Sequence, residues 1–278
     1  MSNKNTFVSV NFEIKAKNDL QFPYLDYGFL YGYGLFESIR ILNGKPLFLD
    51  EHIARLRRGA IILDIPFEYS KEEFLEAIEL LIDANSVKES ILNIYLTPGD
   101  RSPDPAVLID SVPFLLMVTR PWPNYDTNFR SVLDLREESF KRTPLDRFKT
   151  LSWMKNVLEK KLSQGFDDVL LFSQDGYILE TSRANVFFVK GSVIYTPKSP
   201  IILPGITRGV LLKNQDYFGY DICETQIVLS DLAEFDEIFL SNSLRGIFFV
   251  ESLVSNKNLS SKTVSKDIQE KYHRFLKG

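Results

Sequence analysis

The sequence predicts an α+β protein of two domains. Three observations carry that reading. Short apolar strands alternate with two helical stretches in the first 120 residues, a proline cluster at Pro121-Trp122-Pro123 interrupts regular structure, and a second set of strands and helices follows. The boundaries are accordingly 1–120 for a smaller N-terminal α+β domain and 121–278 for a larger C-terminal α/β domain.

In the first domain, residues 7–14 alternate apolar and polar, as a half-buried strand does. Tyr31-Gly32-Tyr33-Gly34 reads as a turn, Leu35–Leu42 as a strand, Asn43-Gly44 as a hairpin turn and Lys45–Leu49 as the returning strand. Asp50 is placed to cap a helix that starts near Glu51. Glu72–Ala84 reads as a second helix, and Ile91–Leu96 and Pro113–Val118 as strands around a polar loop. In the second domain, strands are expected near Ser131–Leu135 and at Asp168–Phe172, Asn185–Lys190, Ser192–Tyr195 and Glu237–Ser241. Helices are expected near Ser152–Ser163 and at Thr207–Gln215 and Lys262–Leu276.

Bulk properties narrow the function. The chain has 278 residues, 44% of them hydrophobic, enough for a substantial core. A net charge of −4 argues against general affinity for nucleic acid or an anionic membrane. The single cysteine, Cys223, excludes an intramolecular disulfide and reads as a buried thiol in a strand. One cysteine and two histidines do not make a typical zinc site, so no metal is expected. No apolar run has the length of a signal peptide or membrane span, which points to the cytoplasm.

Four local features could together serve Schiff-base chemistry, which needs a lysine, a carboxylate for a pyridine nitrogen, a phosphate cup and a substrate pocket. Lys149 sits among apolar residues in Arg147-Phe148-Lys149-Thr150-Leu151, just before a helix. Glu180 closes an apolar strand in Ile178-Leu179-Glu180-Thr181-Ser182. Leu203-Pro204-Gly205-Ile206-Thr207-Arg208 runs a glycine turn into a helix, whose free N–H groups favour an anion. Arg55 flanks an apolar helix face and could meet a phosphate in fork geometry. Each feature alone is common on protein surfaces.

Their order is not common. Tyr31-Gly32-Tyr33-Gly34-Leu35-Phe36-Glu37-Ser38-Ile39-Arg40, Glu51-His52 with Arg55-Leu56, Phe148–Leu151, Glu180-Thr181-Ser182 with Asn185-Val186-Phe187, Leu203–Arg208 and Glu237–Ser243 form six ordered blocks. Together they resemble the class IV aminotransferases, pyridoxal-phosphate enzymes of fold type IV with the branched-chain aminotransferase fold. The family includes branched-chain aminotransferases, D-amino-acid transaminases and aminodeoxychorismate lyases. The resemblance implies pyridoxal 5'-phosphate as cofactor, Lys149 as the Schiff-base lysine and Glu180 as partner of the pyridine nitrogen. It implies that Arg55, Ile206, Thr207 and Ser243 hold the phosphate, that Leu203 packs under the ring, and that Tyr31 and Phe36 line the pocket of a small amino substrate. It also implies a homodimer.

The chain departs from the family pattern in places. Tyr33 stands where an aspartate is common, Met154 where branched-chain aminotransferases carry a tyrosine, and Ser241-Asn242-Ser243 where they carry Thr-Gly-Thr. Arg101, in Thr97–Ser102, is a candidate carboxylate ligand by similarity to an arginine-bearing loop, although out of register. Asn242, Met154 and Gly246-Ile247 favour a 4-amino-4-deoxychorismate lyase, releasing pyruvate and the folate precursor 4-aminobenzoate. The alternatives are an aminotransferase of D-amino or branched-chain amino acids, and a homologue that binds cofactor without catalysis.

Overall fold

In the computed structural model the described residues are 6–100, 112–123, 125–126, 130–253, 257–259 and 261–277. The chain divides into two compact units, one of Met1–Asn124 with Phe148–Trp153, the other of Tyr125–Arg147 with Met154–Gly278. The sequence reading put Lys149 on the C-terminal domain; Phe148–Trp153 packs instead with the N-terminal unit.

The first unit contains β1 (Phe7–Val10), β2 (Glu13–Ala16), α1 (Tyr27–Tyr31), β3 (Leu35–Leu42), β4 (Lys45–Pro46), α2 (Leu49–Ile62), α3 (Lys71–Asn85), β5 (Ser90–Thr97) and β6 (Phe114–Pro121). Among the described residues its sheet has six strands in the order β2-β1-β6-β5-β3-β4, with every pair antiparallel. Strand β3 shows why this sheet has one covered face. Leu35, Glu37, Ile39 and Ile41 alternate inward, and the three apolar members join Ile53, Leu56, Phe74, Ile78 and Leu81 of α2 and α3 in one core. Helix α3 is fixed at its start by a capping box, Ser70 with Glu73.

Residues 7–14 are not one strand. Asn11 and Phe12 take φ of 46° and 70° and turn the chain into the β1–β2 hairpin. Packing supplies the reason. The Phe12 ring lies 5.2 Å from Phe74 and 5.1 Å from Tyr69, while Asn11 exchanges two 2.8 Å hydrogen bonds with Leu115. The return strand expected over Lys45–Leu49 is only Lys45–Pro46, because α2 begins at Leu49. Asp50 does not cap α2; Phe48, with φ 53°, holds that position, and Asp50 lies in the first turn and pairs with Lys71 at 2.8 Å.

The second unit contains β7 (Arg130–Glu137), α4 (Met154–Leu162), β8 (Asp168–Phe172), β9 (Ile178–Thr181), β10 (Asn185–Lys190), β11 (Val193–Pro197), α5 (Ile206–Lys213), α6 (Gln215–Phe218), β12 (Asp221–Thr225), β13 (Glu237–Asn242), β14 (Gly246–Leu253), β15 (Lys257–Asn258) and α7 (Thr263–Phe275). The described residues give a mixed nine-stranded sheet, ordered β12-β11-β10-β13-β14-β7-β8-β9 with β15 on β14. Val186, Phe188, Ile238 and Leu240 fill one core. Phe187 and Phe239 point the other way and stack at 4.7 Å. The helix expected over Thr207–Gln215 breaks at Asn214 into α5 and α6. Cys223 is exposed rather than buried: it lies on edge strand β12, where Ile222 takes the inward position.

Candidate active site

In the first unit the backbone of Lys149 is tied to the start of β3. The Phe36 N–H donates to the Lys149 carbonyl at 2.9 Å, Leu151 N–H donates to the Gly34 carbonyl at 2.8 Å, and Leu35 bridges Thr150. The Lys149 Nζ lies 4.3 Å from the centre of the Phe36 ring and 4.5 Å from that of Trp153. Phe36 in turn packs edge-on against Trp153 and stacks on Tyr95. Tyr31, expected in the pocket, ends α1 with 63% of its surface exposed and its edge against Tyr27. Tyr33, the residue that departs from the family pattern, donates its hydroxyl to the Leu63 carbonyl at 2.6 Å.

Arg55 is 5% exposed and belongs to a cluster not anticipated from the sequence. Its Nε and Nη2 donate to Glu37 Oε1 and Oε2 at 2.7 and 2.6 Å, and His52 Nδ1 lies 2.7 Å from Glu37 Oε2. The signal for Glu37 was present: a carboxylate at an inward position of an apolar strand needs a cationic partner. Burial works against the Glu37 charge, but Arg55 and His52 overcome it and hold the carboxyl down at about 2. Burial also pushes His52 below its ordinary value, more strongly than Glu37 pulls it up.

Both groups therefore bind protons more weakly when folded than their ordinary values of 6.5 and 4.5 imply. Their contribution to stability is complete above those values and is lost as pH falls, first for His52 below 6.5, then for Glu37 from 4.5 towards about 2. Thermal unfolding followed against pH is expected to show a midpoint that falls on acidification from 6.5, and His52→Asn is expected to flatten the first part of that fall.

In the second unit Glu180 is the centre. It is 5% exposed and accepts from Arg142 Nη1 at 2.5 Å, Leu203 N–H at 3.1 Å and Asn185 Nδ2 at 2.9 Å. Asn185 Nδ2 also donates to the Leu203 carbonyl at 2.9 Å. Arg142 lies in a coil segment with no periodicity to announce it. Gly205 precedes α5, whose first residues Ile206 and Thr207 are buried, with Thr207 Oγ1 3.4 Å from the Tyr272 hydroxyl. A Cβ on Gly205 would collide with Asn185 Oδ1. Gly205→Ala is therefore expected to displace Asn185, loosen Glu180 and cost about 1–3 kcal/mol of stability, measured by denaturant unfolding.

Ser241 faces Asn185 across β13 and β10, so the two share a face. Its Oγ is buried and makes no hydrogen bond among the described residues. Ser243 lies in the turn between β13 and β14. Asn242 closes that turn itself, its Oδ1 accepting from Leu244 and Arg245 N–H at 3.1 and 2.8 Å. Arg101 lies outside the described residues.

The family of class IV aminotransferases matches residues 34–253. The chain belongs to that family. Membership makes it a pyridoxal-phosphate-dependent enzyme, and its α+β architecture is that of fold type IV. A putative branched-chain-amino-acid aminotransferase of Methanocaldococcus jannaschii is 29% identical over 95% of this chain and 94% of its own. The D-alanine aminotransferase of Listeria monocytogenes is 30% identical over 85% of this chain and 83% of its own. Among solved structures, a putative 4-amino-4-deoxychorismate lyase of Legionella pneumophila is 28% identical, with a TM-score of 0.82 over 93% of this chain and 96% of that one.

The donors present fit the cofactor. A class IV aminotransferase must hold a phosphate and a nitrogen ring. The orphaned Ser241 hydroxyl and the start of α5 suit an anion, and the Glu180 carboxylate suits a ring N–H. Among the described residues there is no metal-binding cluster, and no helix is long and apolar enough to cross a membrane.

Proposed function

We propose that the chain is an aminotransferase acting on a small amino acid, with Lys149 as its catalytic residue. The observation that carries the chemistry is the lysine held between Phe36 and Trp153 in the same unit as the buried Arg55. Lys149 would hold the cofactor through its Nζ and would move the proton at the amine-bearing carbon of the substrate. Bound cofactor supplies the electron sink for that carbon. Glu180, fixed by Arg142, Asn185 and the Leu203 N–H, would accept from the ring nitrogen. Of the first unit's residues, Arg55 would bind the phosphate and Tyr31 and Phe36 the substrate; of the second unit's, the N–H groups of Ile206 and Thr207 with Ser243 would bind the phosphate and Leu203 the ring.

Transfer is favoured over cleavage by two considerations. Curated relatives at 29–30% identity are aminotransferases by name. Asn242, one of the three sequence arguments for a lyase, spends its carbonyl oxygen on its own turn. The lyase is a second reading, favoured by Met154 and by the likeness to the Legionella protein. Cofactor-loaded protein incubated with D- and L-amino acids plus 2-oxoglutarate or pyruvate is expected to form the matching keto acid. No keto acid from any donor, with 4-aminobenzoate and pyruvate formed from aminodeoxychorismate, would establish the lyase instead.

A cytoplasmic homodimer completes the reading. Phe22, Tyr24, Leu25, Phe29, Leu30 and Tyr31 expose apolar surface along one short stretch of the first unit, which contact with a second copy would cover. Light scattering is expected to give twice the mass of the chain.

A further inference from the structure

We propose that Glu37 is a positioning residue, locked by His52, that orients the Arg55 guanidinium for the cofactor phosphate. The inference rests on the cofactor reading above, and all three residues lie in one unit. Arg55 and His52 stand on α2, three residues apart and so on one helix face, while Glu37 reaches them from the inward side of β3. The Arg55–Glu37 contact is a two-point one through the Nε and Nη2 edge, so it fixes the plane of the guanidinium and not only its distance.

His52 supplies a third point. An ionised Glu37 only accepts, so the proton on the facing ring nitrogen belongs to His52 Nδ1. With Arg55 balancing the carboxylate, a neutral imidazole is the species that burial favours, and it donates to Oε2 without adding charge. The carboxylate is thereby prevented from rotating away from Arg55.

Stability alone is a poor reason to build this cluster. Taking a carboxylate and a guanidinium out of water costs several kcal/mol before their attraction offsets it, and apolar residues of similar size often serve as well. Glu37, His52 and Arg55 are 1%, 1% and 5% exposed, with Leu35, Ile39, Ile53 and Leu56 as buried neighbours in sequence. An apolar trio would suit that setting. An arginine held rigid at the edge of a core does suit a ligand that must meet it in one orientation.

The test uses full-length protein stripped of cofactor and titrated separately with pyridoxal 5'-phosphate and with pyridoxal, which lacks the phosphate. Binding is read from visible absorption and by equilibrium dialysis. Glu37→Gln and Arg55→Met are each expected to raise the Kd for the phosphorylated aldehyde about tenfold or more, while that for pyridoxal changes less than about twofold. The double variant is expected to match Arg55→Met alone, because Glu37 acts through Arg55. Equal weakening towards both aldehydes, or full additivity in the double variant, would overturn the proposal. If Glu37→Gln does not fold, the His52 variants decide. His52→Leu should give the phosphate-selective loss and His52→Asn, whose amide can replace the Nδ1 donor, should restore binding; equal behaviour of the two overturns it. Wild-type protein that binds neither aldehyde would refute the cofactor reading itself, whereas normal wild-type binding without selective loss in the variants refutes only the role of Glu37.

Discussion

Lys149→Ala protein is expected to fold, to show none of the Schiff-base absorption that pyridoxal phosphate gives with the wild type, and to lose turnover by at least about 10³-fold, the upper part of what a positioned general base supplies. Retention of the fold follows from the backbone. The Lys149 carbonyl, Thr150 and Leu151 are all paired with the start of β3, and none of those bonds uses the side chain. What the substitution removes is the Nζ above the Phe36 and Trp153 rings. Circular dichroism separates the two effects: an unchanged spectrum with abolished absorption assigns the loss to chemistry. Added methylamine should recover part of the rate, because a free amine can stand in for the missing base.

Glu180→Ala is expected to be damaging in a different way. The carboxylate is the meeting point of Arg142, Asn185 and the Leu203 N–H, and removing it takes an acceptor from all three. Breaking one partner of a buried ion pair typically costs ~3–5 kcal/mol. The value here should fall near the lower end, because Glu138 Oε2 lies 3.9 Å from Arg142 and keeps part of its compensation. Glu180→Gln keeps an acceptor for Arg142 but turns an amide N–H₂ toward one of the donors, and should cost roughly half as much. Both variants should also weaken cofactor binding and slow turnover, since each removes the negative charge proposed to face the ring nitrogen. Chemical denaturation of the cofactor-free protein isolates the structural part, and titration with pyridoxal phosphate gives the remainder.

Much of the fold was legible because local chemistry and tertiary context agree. The span of β3 is marked by the Gly/Tyr-rich turn before it and by the Asn43-Gly44 turn after it, whose φ of 52° and 75° are those a two-residue hairpin requires. β8 and β10 are apolar runs bounded by polar residues and needed no further information. The failures lie where a distant partner decides. A phenylalanine at positive φ carries no sequence signal, and Phe12 adopts it because Tyr69 and Phe74 receive its ring. Asp50 looked like a helix cap, yet Lys71 on the next helix claims its side chain.

The candidate site divides in the same way. Lys149, Glu180 and the Leu203–Thr207 turn could be found because family motifs mark them, and the residues that orient them could not. Arg142 acts from 38 residues before Glu180 in a coil with no pattern. Glu37 and His52 sit inside recognised motifs but looked like one polar residue in a strand and one in a helix until their side chains met. Periodicity places a residue on a face; it does not say which groups on two faces will touch.

The most direct test of amino-group transfer is a half-reaction. Cofactor-loaded protein is mixed with an amino-acid donor and no keto acid, and visible absorption is followed. An aminotransferase should lose the absorption in proportion to active sites, release one equivalent of keto acid, and recover the absorption when a keto acid is added. Absorption that no D- or L-amino acid can discharge would contradict the proposal, and continuous release of pyruvate from aminodeoxychorismate without any acceptor would assign the protein to the lyases.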